Sequence, residues 1–234
     1  MKRITVFVAM VCGLLFSATT FADNHTDGAP EVDPKLGAAL IAYEHRDFKK
    51  ALRLLIPVAT RGEIQAQFIV ARIYALGLGT NKDTNEAEKW YRKAAEQGHP
   101  RAQFRLAMAL DRKKQKRYPE SLALLRKAAK SGHPRAQTLL ASKYTYNNEA
   151  PHSVAMWRYW NRRAAYQGDS WARMDIAVSY FLGKLLPKDP VLALMWTILA
   201  EKSGHPGAKS WNVIISERIT PKQIREAKRL AKLW

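Results

Sequence analysis

Three histidines occur at equivalent places in three copies of one short motif. Gly-His-Pro is found at residues 98–100, 132–134 and 204–206, which contain His99, His133 and His205. Imidazole is a common metal ligand, but a zinc ion needs its ligands at about 2 Å. Neighbouring helices pack about 8–10 Å apart, so equivalent side chains on successive repeats are too distant to share one ion. We therefore interpret these histidines as turn residues near helix starts and expect no metal site.

The chain contains no arrangement of residues that is typical of catalysis. It has no Gly-x-Ser-x-Gly elbow, no His-Glu-x-x-His pair and no Gly-rich phosphate loop. Its single cysteine, Cys12, lies in an apolar run near the start of the chain. We expect a protein that is not an enzyme, uses no cofactor and has no small-molecule substrate.

The charge of the chain is strongly basic. It has 39 Lys and Arg against 20 Asp and Glu, a formal net charge of +19. Such a surface attracts anionic partners. Five cations fall within six positions, at Arg112, Lys113, Lys114, Lys116 and Arg117. This run is either a solvated charged loop or an anion-binding loop, and the sequence leaves both interpretations open.

The first 22 residues have the pattern of a secretory signal peptide. Lys2 and Arg3 precede an apolar run, and Ala22 follows at a position that a signal peptidase recognises. The run is shorter than the ~20 apolar residues that span a bilayer. We expect cleavage near Ala22, export to the periplasm if the host is Gram-negative or secretion otherwise, and a flexible N-terminal lead over residues 23–34.

A repeat of about 36 residues organises the rest of the chain. Glycines recur at positions 62, 98, 132, 168 and 204, each followed four residues later by an alanine. Within each period, apolar residues follow helical spacing twice, which predicts a helical hairpin. First helices are expected to start near residues 35, 64, 101, 135, 170 and 207, and second helices near 48, 84, 119, 151 and 189. Trp90, Trp160 and Trp196 occupy one repeat position and are expected in the core.

These residues resemble the Sel1-like repeat, a relative of the tetratricopeptide repeat (TPR). The resemblance is carried by residues 66–98, with Gly77-Leu78-Gly79, Trp90-Tyr91 and Lys93-Ala94-Ala95, and it extends over roughly residues 35–234. It implies an all-α solenoid of helix-turn-helix repeats over residues 35–218. Residues 219–234 resemble the C-terminal capping helix that follows such arrays.

Solenoids of helical hairpins bind partners on the concave surface formed by their first helices. Trp171 is the strongest candidate, because exposed tryptophan is enriched at interaction hot spots. Counting outward from the core positions gives the predicted groove residues: Gln65, Phe68, Arg72, Arg101, Phe104, Met108, Arg135, Thr138, Ser142, Trp171, Met174 and Val178.

The resemblance and the charge lead to two functional hypotheses. In the first, the chain is an exported scaffold or adaptor that binds a protein or peptide partner in envelope-associated regulation or assembly, and its positive charge would suit an acidic partner. In the second, it binds an anionic envelope polymer such as lipopolysaccharide, acidic polysaccharide or extracellular DNA; recognition of nucleic acid as the main role is not expected. A third and more distant hypothesis is a β-lactam-type hydrolase. The resemblance implies it because some cysteine-rich members of the family have been linked to β-lactam hydrolysis, but this chain lacks their cysteines.

Overall fold

The computed structural model describes residues 34–111, 118–145 and 151–234, all of which lie in one compact unit. The predicted signal peptide, nearly all of the lead and the basic loop Arg112–Arg117 lie outside the described residues. The described residues form twelve helices and no strand: α1 Pro34–Glu44, α2 Phe48–Thr60, α3 Ile64–Leu76, α4 Thr84–Glu96, α5 Pro100–Asp111, α6 Tyr118–Lys130, α7 Pro134–Thr145, α8 Pro151–Tyr166, α9 Ser170–Leu182, α10 Pro190–Lys202, α11 Ala208–Ser216 and α12 Pro221–Lys232.

The helices form a stack of hairpins in chain order. Successive helices from α1 to α11 pack on one another, and α12 packs back on α10. The starts of the first eleven helices agree with the predicted positions to within one residue. The prediction of an all-α solenoid closed by a C-terminal helix is therefore confirmed.

Side chains at the helix ends explain why the boundaries could be predicted so closely. The carboxylate of Asp83 accepts hydrogen bonds from the amides of Asn85 and Glu86, both at 2.9 Å, and so begins α4. Gly77 ends α3 in the left-handed region at φ 69°, which costs glycine no steric strain. Thr220 and Gln223 form a reciprocal capping box at the start of α12.

The Gly-x-Gly turn after α3 packs directly against the preceding hairpin. Gly79 has φ 64°, and a Cβ atom at this position would lie 2.9 Å from the backbone nitrogen of Lys49 and from Cβ of Phe48. Only a residue without a side chain permits this approach. The turn thereby brings α3 and the start of α2 together.

Buried glutamines connect successive hairpins through hydrogen bonds. Gln67 donates from Nε2 to the carbonyl of Ala59 at 3.1 Å, and its Oε1 accepts from Nε2 of Gln97 at 2.8 Å. Gln137 and Gln167 repeat the side-chain contact at 2.9 Å. These bonds satisfy polar atoms that the packing would otherwise bury without partners. The glutamines therefore hold each hairpin to its neighbour as well as filling space.

In the third unit this glutamine contact is incomplete. Gln103 is 4% exposed and donates to the carbonyl of Ala95 at 3.2 Å, but its Oε1 has no partner among the described residues. The position that Gln97 occupies in the second unit is Ser131 here, directly before the repeat glycine. The serine side chain is too short to reach the amide oxygen.

Two of the three repeated tryptophans lie in the core. Trp160 and Trp196 are 6% and 7% exposed, as predicted. Trp90 packs against the N-terminal core cluster but is only half-buried, and it has the Lys93 ammonium 4.2 Å from its ring centre. Leu124 takes the equivalent place in the third unit.

The last residue of the chain attaches the capping helix to the array. Trp234 stacks on Tyr166 with ring centres 4.6 Å apart and meets Trp196 edge-on at 4.8 Å. Ala227 and Ala231 form the buried face of α12, and the Lys202 ammonium donates to the carbonyl of Ala231 at 3.4 Å. Within the described ranges, no helix is both long enough and apolar enough to cross a bilayer.

Candidate functional site: the first-helix surface

A groove of about 570 Å³ crosses the first helices of the N-terminal half. It brings together four predicted groove residues, Gln65, Phe68, Arg72 and Arg101, with lining residues that the sequence interpretation did not include. The latter residues are Leu40, Tyr43, Glu44, Ile69, His99, Pro100, Ser131, Gly132, His133 and Pro134. The groove runs from the C-terminal end of α1 to the N-terminal ends of α5 and α7.

The repeated histidines in this groove stabilise helix starts. Nδ1 of His99 accepts a hydrogen bond from the amide of Ala102 at 3.2 Å, and its ring stacks on Phe68 with centres 4.5 Å apart. His133 makes the same pair of contacts, with Ala136 and Phe104. The interpretation of these residues as turn histidines is confirmed. Among the described residues, no group of three or more His, Cys, Asp or Glu side chains could hold a metal ion.

Burial and nearby arginines keep these imidazoles neutral at physiological pH. Partial burial lowers the pKa of both His99 and His133, and the positive charge of Arg101 lowers both further. Arg105 acts on His133 in the same direction. A neutral imidazole is the form that can accept the amide hydrogen bond at Nδ1. The positive charge of the groove therefore comes from its arginines.

Several of these arginines have no counter-charge within the described residues. Arg101 and Arg105 are exposed, and neither is among the ion pairs found there within 4.0 Å. The Arg72 guanidinium lies between two rings, 5.6 Å from the centre of Tyr43 and 6.0 Å from that of Phe68. Such cation–π contacts hold an arginine in place without cancelling its charge.

A second cleft, of about 320 Å³, opens beside this groove between α3, α4 and α5. Arg72 and the predicted residue Met108 contribute to its walls, together with Tyr91 and Arg105. Arg72 thus lines both depressions. Phe104 is half-buried beneath the His133 ring and presents little free surface.

Trp171 forms the most exposed aromatic feature of the first-helix surface. Its side chain is 45% exposed at the start of α9. The Arg135 guanidinium lies 4.6 Å from its ring centre, and the His205 ring meets it edge-on at 4.6 Å. Asp169 holds both residues in position. Its carboxylate accepts a hydrogen bond from the backbone amide of Trp171 at 3.1 Å and lies 3.8 Å from the Arg135 guanidinium.

A carboxylate with a shifted pKa lies on the same helix. Burial raises the pKa of Asp175 to about 6; the positive charge of Arg135 opposes this rise and the negative charge of Asp169 adds to it. Burial also lowers the pKa of His205, and Arg135 lowers it further. Asp169, Asp175 and Arg135 thus place charges of both signs around Trp171.

The structure corrects the predictions for three groove residues, of which Phe68 is only 6% exposed beneath the stacked His99 ring. Thr138 is 4% exposed, because its hydroxyl donates to the Asp169 carboxylate at 2.9 Å. Met174 is 6% exposed and packs with Ala200 and Ala208. Neither Thr138 nor Met174 is available to a partner.

The remaining predicted residues differ in accessibility. Val178 is half-buried against the Met174 cluster, and Ser142 donates from its hydroxyl to the carbonyl of Leu139 at 2.8 Å. Gln65 and Arg101 are exposed. The structure does not gather all twelve predicted residues into one cavity: four line the larger groove, while Trp171 belongs to a separate arrangement farther along the array.

Sequence reasoning missed Tyr43, Glu44 and Arg105. The count of groove positions began at the second unit, so the first hairpin contributed none. Arg105 lies one residue after Phe104 and becomes exposed because of the pitch of α5. The histidines were identified as turn residues, but their stacking on Phe68 and Phe104 depends on the distance between hairpins.

Comparison with known proteins agrees with this architecture. The family model for the Sel1 repeat matches residues 64–99, 100–133 and 172–205. A Sel1 repeat protein from Oxalobacter formigenes is 23% identical, with a TM-score of 0.70, over 86% of this chain and 83% of that one. A protective antigen of uropathogenic Escherichia coli strains with an SLR fold is 23% identical, with a TM-score of 0.68.

Two of the matched proteins are much longer than the region they share with this chain. The match to the Escherichia coli antigen covers 85% of this chain but 52% of that protein. The DAP3-binding cell death enhancer 1 of Rattus norvegicus is 34% identical over 79 residues, which are 34% of this chain and 16% of the rat protein. The family-model matches and the helical-hairpin array lead to one conclusion: the chain is a Sel1 repeat protein.

Proposed function

We propose that the chain is an exported scaffold that binds another protein through its first-helix surface. The observation that carries this proposal is the exposed Trp171 ring held between Arg135 and His205. An aromatic side chain fixed in this way loses little conformational freedom when a partner covers it, and tryptophan and arginine are enriched at binding hot spots. Sel1 repeat folds are typical of protein-interaction scaffolds.

The basic groove supplies a second contact region on the same surface. Arg72 and Arg101 present positive charge beside the Tyr43 ring in this groove, and Arg105 adds a further charge in the adjoining cleft that Arg72 also lines. Complementary charge increases association rates and helps to select a partner. We infer that the partner is an acidic protein or a peptide segment with apolar side chains. The printed name of the rat relative, which describes it as DAP3-binding, supports a protein as the kind of partner.

Export and an envelope location remain part of the proposal. They rest on the N-terminal pattern, with Lys2 and Arg3 before an apolar run and Ala22 at the expected cleavage position. Mass analysis of the protein recovered from its host should find a chain that begins at Asp23. Recovery of the full-length chain from the cytoplasm would contradict this part of the proposal.

The experiment that tests the binding role is recovery of partners at ~50 and ~300 mM salt, concentrations that separate screened charge contacts from packed ones. The tagged chain is compared with Trp171→Ala and with Tyr159→Ala as a matched control. Tyr159 is 47% exposed, a fraction similar to the 45% of Trp171. It lies on α8, which is a second helix and not part of the first-helix surface. The proposal predicts a protein that is retained at high salt, lost with Trp171→Ala and retained with Tyr159→Ala.

The alternative function, binding of an anionic envelope polymer, is favoured by the net charge of +19 and by the basic run at residues 112–117. Such binding should weaken steeply with salt as counterions are released. If only polymer is recovered, if its binding is abolished at ~300 mM salt and if Trp171→Ala has no effect, the scaffold hypothesis is rejected and the polymer-binding hypothesis is supported.

A further inference from the structure

A cleft of about 340 Å³ lies between α8, α9, α10 and the turn that precedes α10, and it shares no lining residue with the groove or with the cleft beside Arg72. Its volume is at the lower end of the range for small-molecule sites, about 300–1,000 Å³. Four aromatic residues and two arginines are among the residues that line it: Trp157, Tyr166, Tyr180, Trp196, Arg158 and Arg162. No Asp or Glu occurs among the described residues that line it.

The aromatic walls of this cleft are fixed before any ligand arrives. Trp157 and Trp196 are 3% and 7% exposed, so their rings cannot turn freely. Tyr166 is stacked on Trp234, which also contacts Trp196. Rigid, closely spaced rings favour a flat ligand that can pack face-to-face or edge-to-face against them.

The two arginines have different roles. Arg158 donates twice to the carbonyl of Leu185, from Nε at 3.1 Å and from Nη2 at 2.8 Å, and so holds the turn that covers the cleft. Arg162, one helical turn further on, has neither an ion pair nor a hydrogen bond within the described part of the chain. Its guanidinium is therefore available to bind an anion.

The second unit shows that carboxylates can occupy this place. In the second unit the residue equivalent to Arg162 is Arg92, six residues before the repeat glycine. Arg92 forms ion pairs with Glu88 at 3.5 Å and with Glu120 at 2.5 Å. In the later units, the position of Glu88 is Arg158 and that of Glu120 is Leu192. Both protein carboxylates are replaced while the arginine stays.

We propose that this cleft binds a small aromatic carboxylate. The carboxylate takes the place of the two missing glutamates beside Arg162, where a guanidinium can donate two parallel hydrogen bonds. The ring lies against Tyr166 and Tyr180, which are the more exposed rings of the cleft, while the nearly buried Trp157 and Trp196 contribute only their small accessible parts. The site is independent of the first-helix surface, so neither proposal depends on the other.

Isothermal titration calorimetry of the full chain with indole-3-acetate tests the proposal. Indole-3-acetamide, which keeps the ring and loses the charge, and acetate, which keeps the charge and loses the ring, are the comparison ligands. The proposal requires saturable one-to-one binding of indole-3-acetate. The two comparison ligands should bind at least about tenfold more weakly, because a charge-assisted hydrogen bond or a stacked ring is lost.

Variants separate the proposed site from non-specific binding. Arg162→Gln should weaken indole-3-acetate binding at least about tenfold, whereas Arg163→Gln should leave it unchanged. Arg163 is the matched control, because it is also exposed on α8 but donates to the Tyr159 hydroxyl at 2.9 Å. Leu192→Glu, which returns a carboxylate to the place of Glu120, should also abolish binding.

Circular dichroism of each variant establishes that it is folded before its affinity is compared. Absence of saturable binding, equal affinity for acetate, or equal affinity of Arg162→Gln and Arg163→Gln would each overturn the proposal.

Discussion

At the scale of single residues, the glutamine contacts are the least uniform part of the array. Gln67 and Gln137 have both side-chain groups bonded, but the Oε1 atom of Gln103 is buried without a partner among the described residues. An unsatisfied buried acceptor costs stability because it has lost its water. The third unit therefore contains a defect that one substitution should repair.

We predict that Ser131→Gln stabilises the protein by about 0.5–1.5 kcal/mol, the usual net contribution of a hydrogen bond. The new amide would donate to Oε1 of Gln103, as Gln97 donates to Gln67. Urea unfolding measures the change. Gln97→Ser, which makes the opposite change in the second unit, should destabilise by a similar amount. An unaltered or lower stability of Ser131→Gln would refute this account of the defect.

Asp175 should make stability depend on pH. Its folded pKa of about 6 lies above the ordinary value of 3.8. A carboxyl with a raised folded pKa contributes stability at low pH, and that contribution is lost as pH rises through about 6. Asp175→Asn removes the buried charge and should therefore be more stable than the wild-type chain at pH 8, by about 1–3 kcal/mol.

The difference between Asp175→Asn and the wild-type chain should disappear at pH 4. Unfolding curves at pH 4, 6 and 8 measure it. A constant difference across this range would mean that Asp175 does not titrate in the folded protein near pH 6.

At the scale of elements, the Gly-x-Gly turn acts as a spacer between hairpins. Gly79 and Gly98 both have positive φ, at 64° and 90°. They differ in their surroundings: a Cβ on Gly79 would clash with the start of α2, whereas nothing lies within 4 Å of a Cβ on Gly98. Comparing the two separates backbone strain from steric contact.

We predict that Gly98→Ala costs about 1 kcal/mol, the strain of a left-handed alanine. Gly79→Ala should cost about 1–3 kcal/mol more, because the backbone of Lys49 must move away. Thermal unfolding of both variants measures the difference. Equal losses would show that the turn does not set the distance between α2 and α3.

At the scale of the whole array, each hairpin touches its neighbours along the chain, so a local change should stay local. Trp234 adds aromatic contacts with Tyr166 and Trp196 to the packing of α12 on α10. A substitution at Trp234 therefore tests whether a loss of stability at the C-terminal end reaches the helices at the N-terminal end.

Trp234 is 47% exposed but contacts two aromatic rings, and each such ring pair contributes about 0.5–1.5 kcal/mol. We predict that Trp234→Ala reduces hydrogen-exchange protection in α10 and α12 by about ten- to a hundredfold, because exchange reports local opening. Protection in α1–α4 should not change. Exchange mass spectrometry resolves the two regions. A uniform loss of protection would show that the array unfolds as one cooperative unit.

The sequence by itself determined the helices, their order and the repeat register. Capping residues such as Asp83 and turn glycines such as Gly77 act within a few residues of their own position, so their effects could be predicted without neighbours. The same local reasoning placed Trp160 and Trp196 in the core. It could not anticipate that Trp90 would be half-buried.

Tertiary structure alone decided which surfaces are accessible. Thr138 and Met174 have the right spacing for the groove, but the Asp169 carboxylate and the packing of α9 against later helices bury them. Likewise, the sequence already shows that Arg162 lacks the glutamates that pair with Arg92, but only the folded array shows that Arg162 lines a cleft with Trp157 and Tyr180. The physical reason is that burial and ion pairing depend on distances between hairpins, which helical periodicity within one hairpin does not specify.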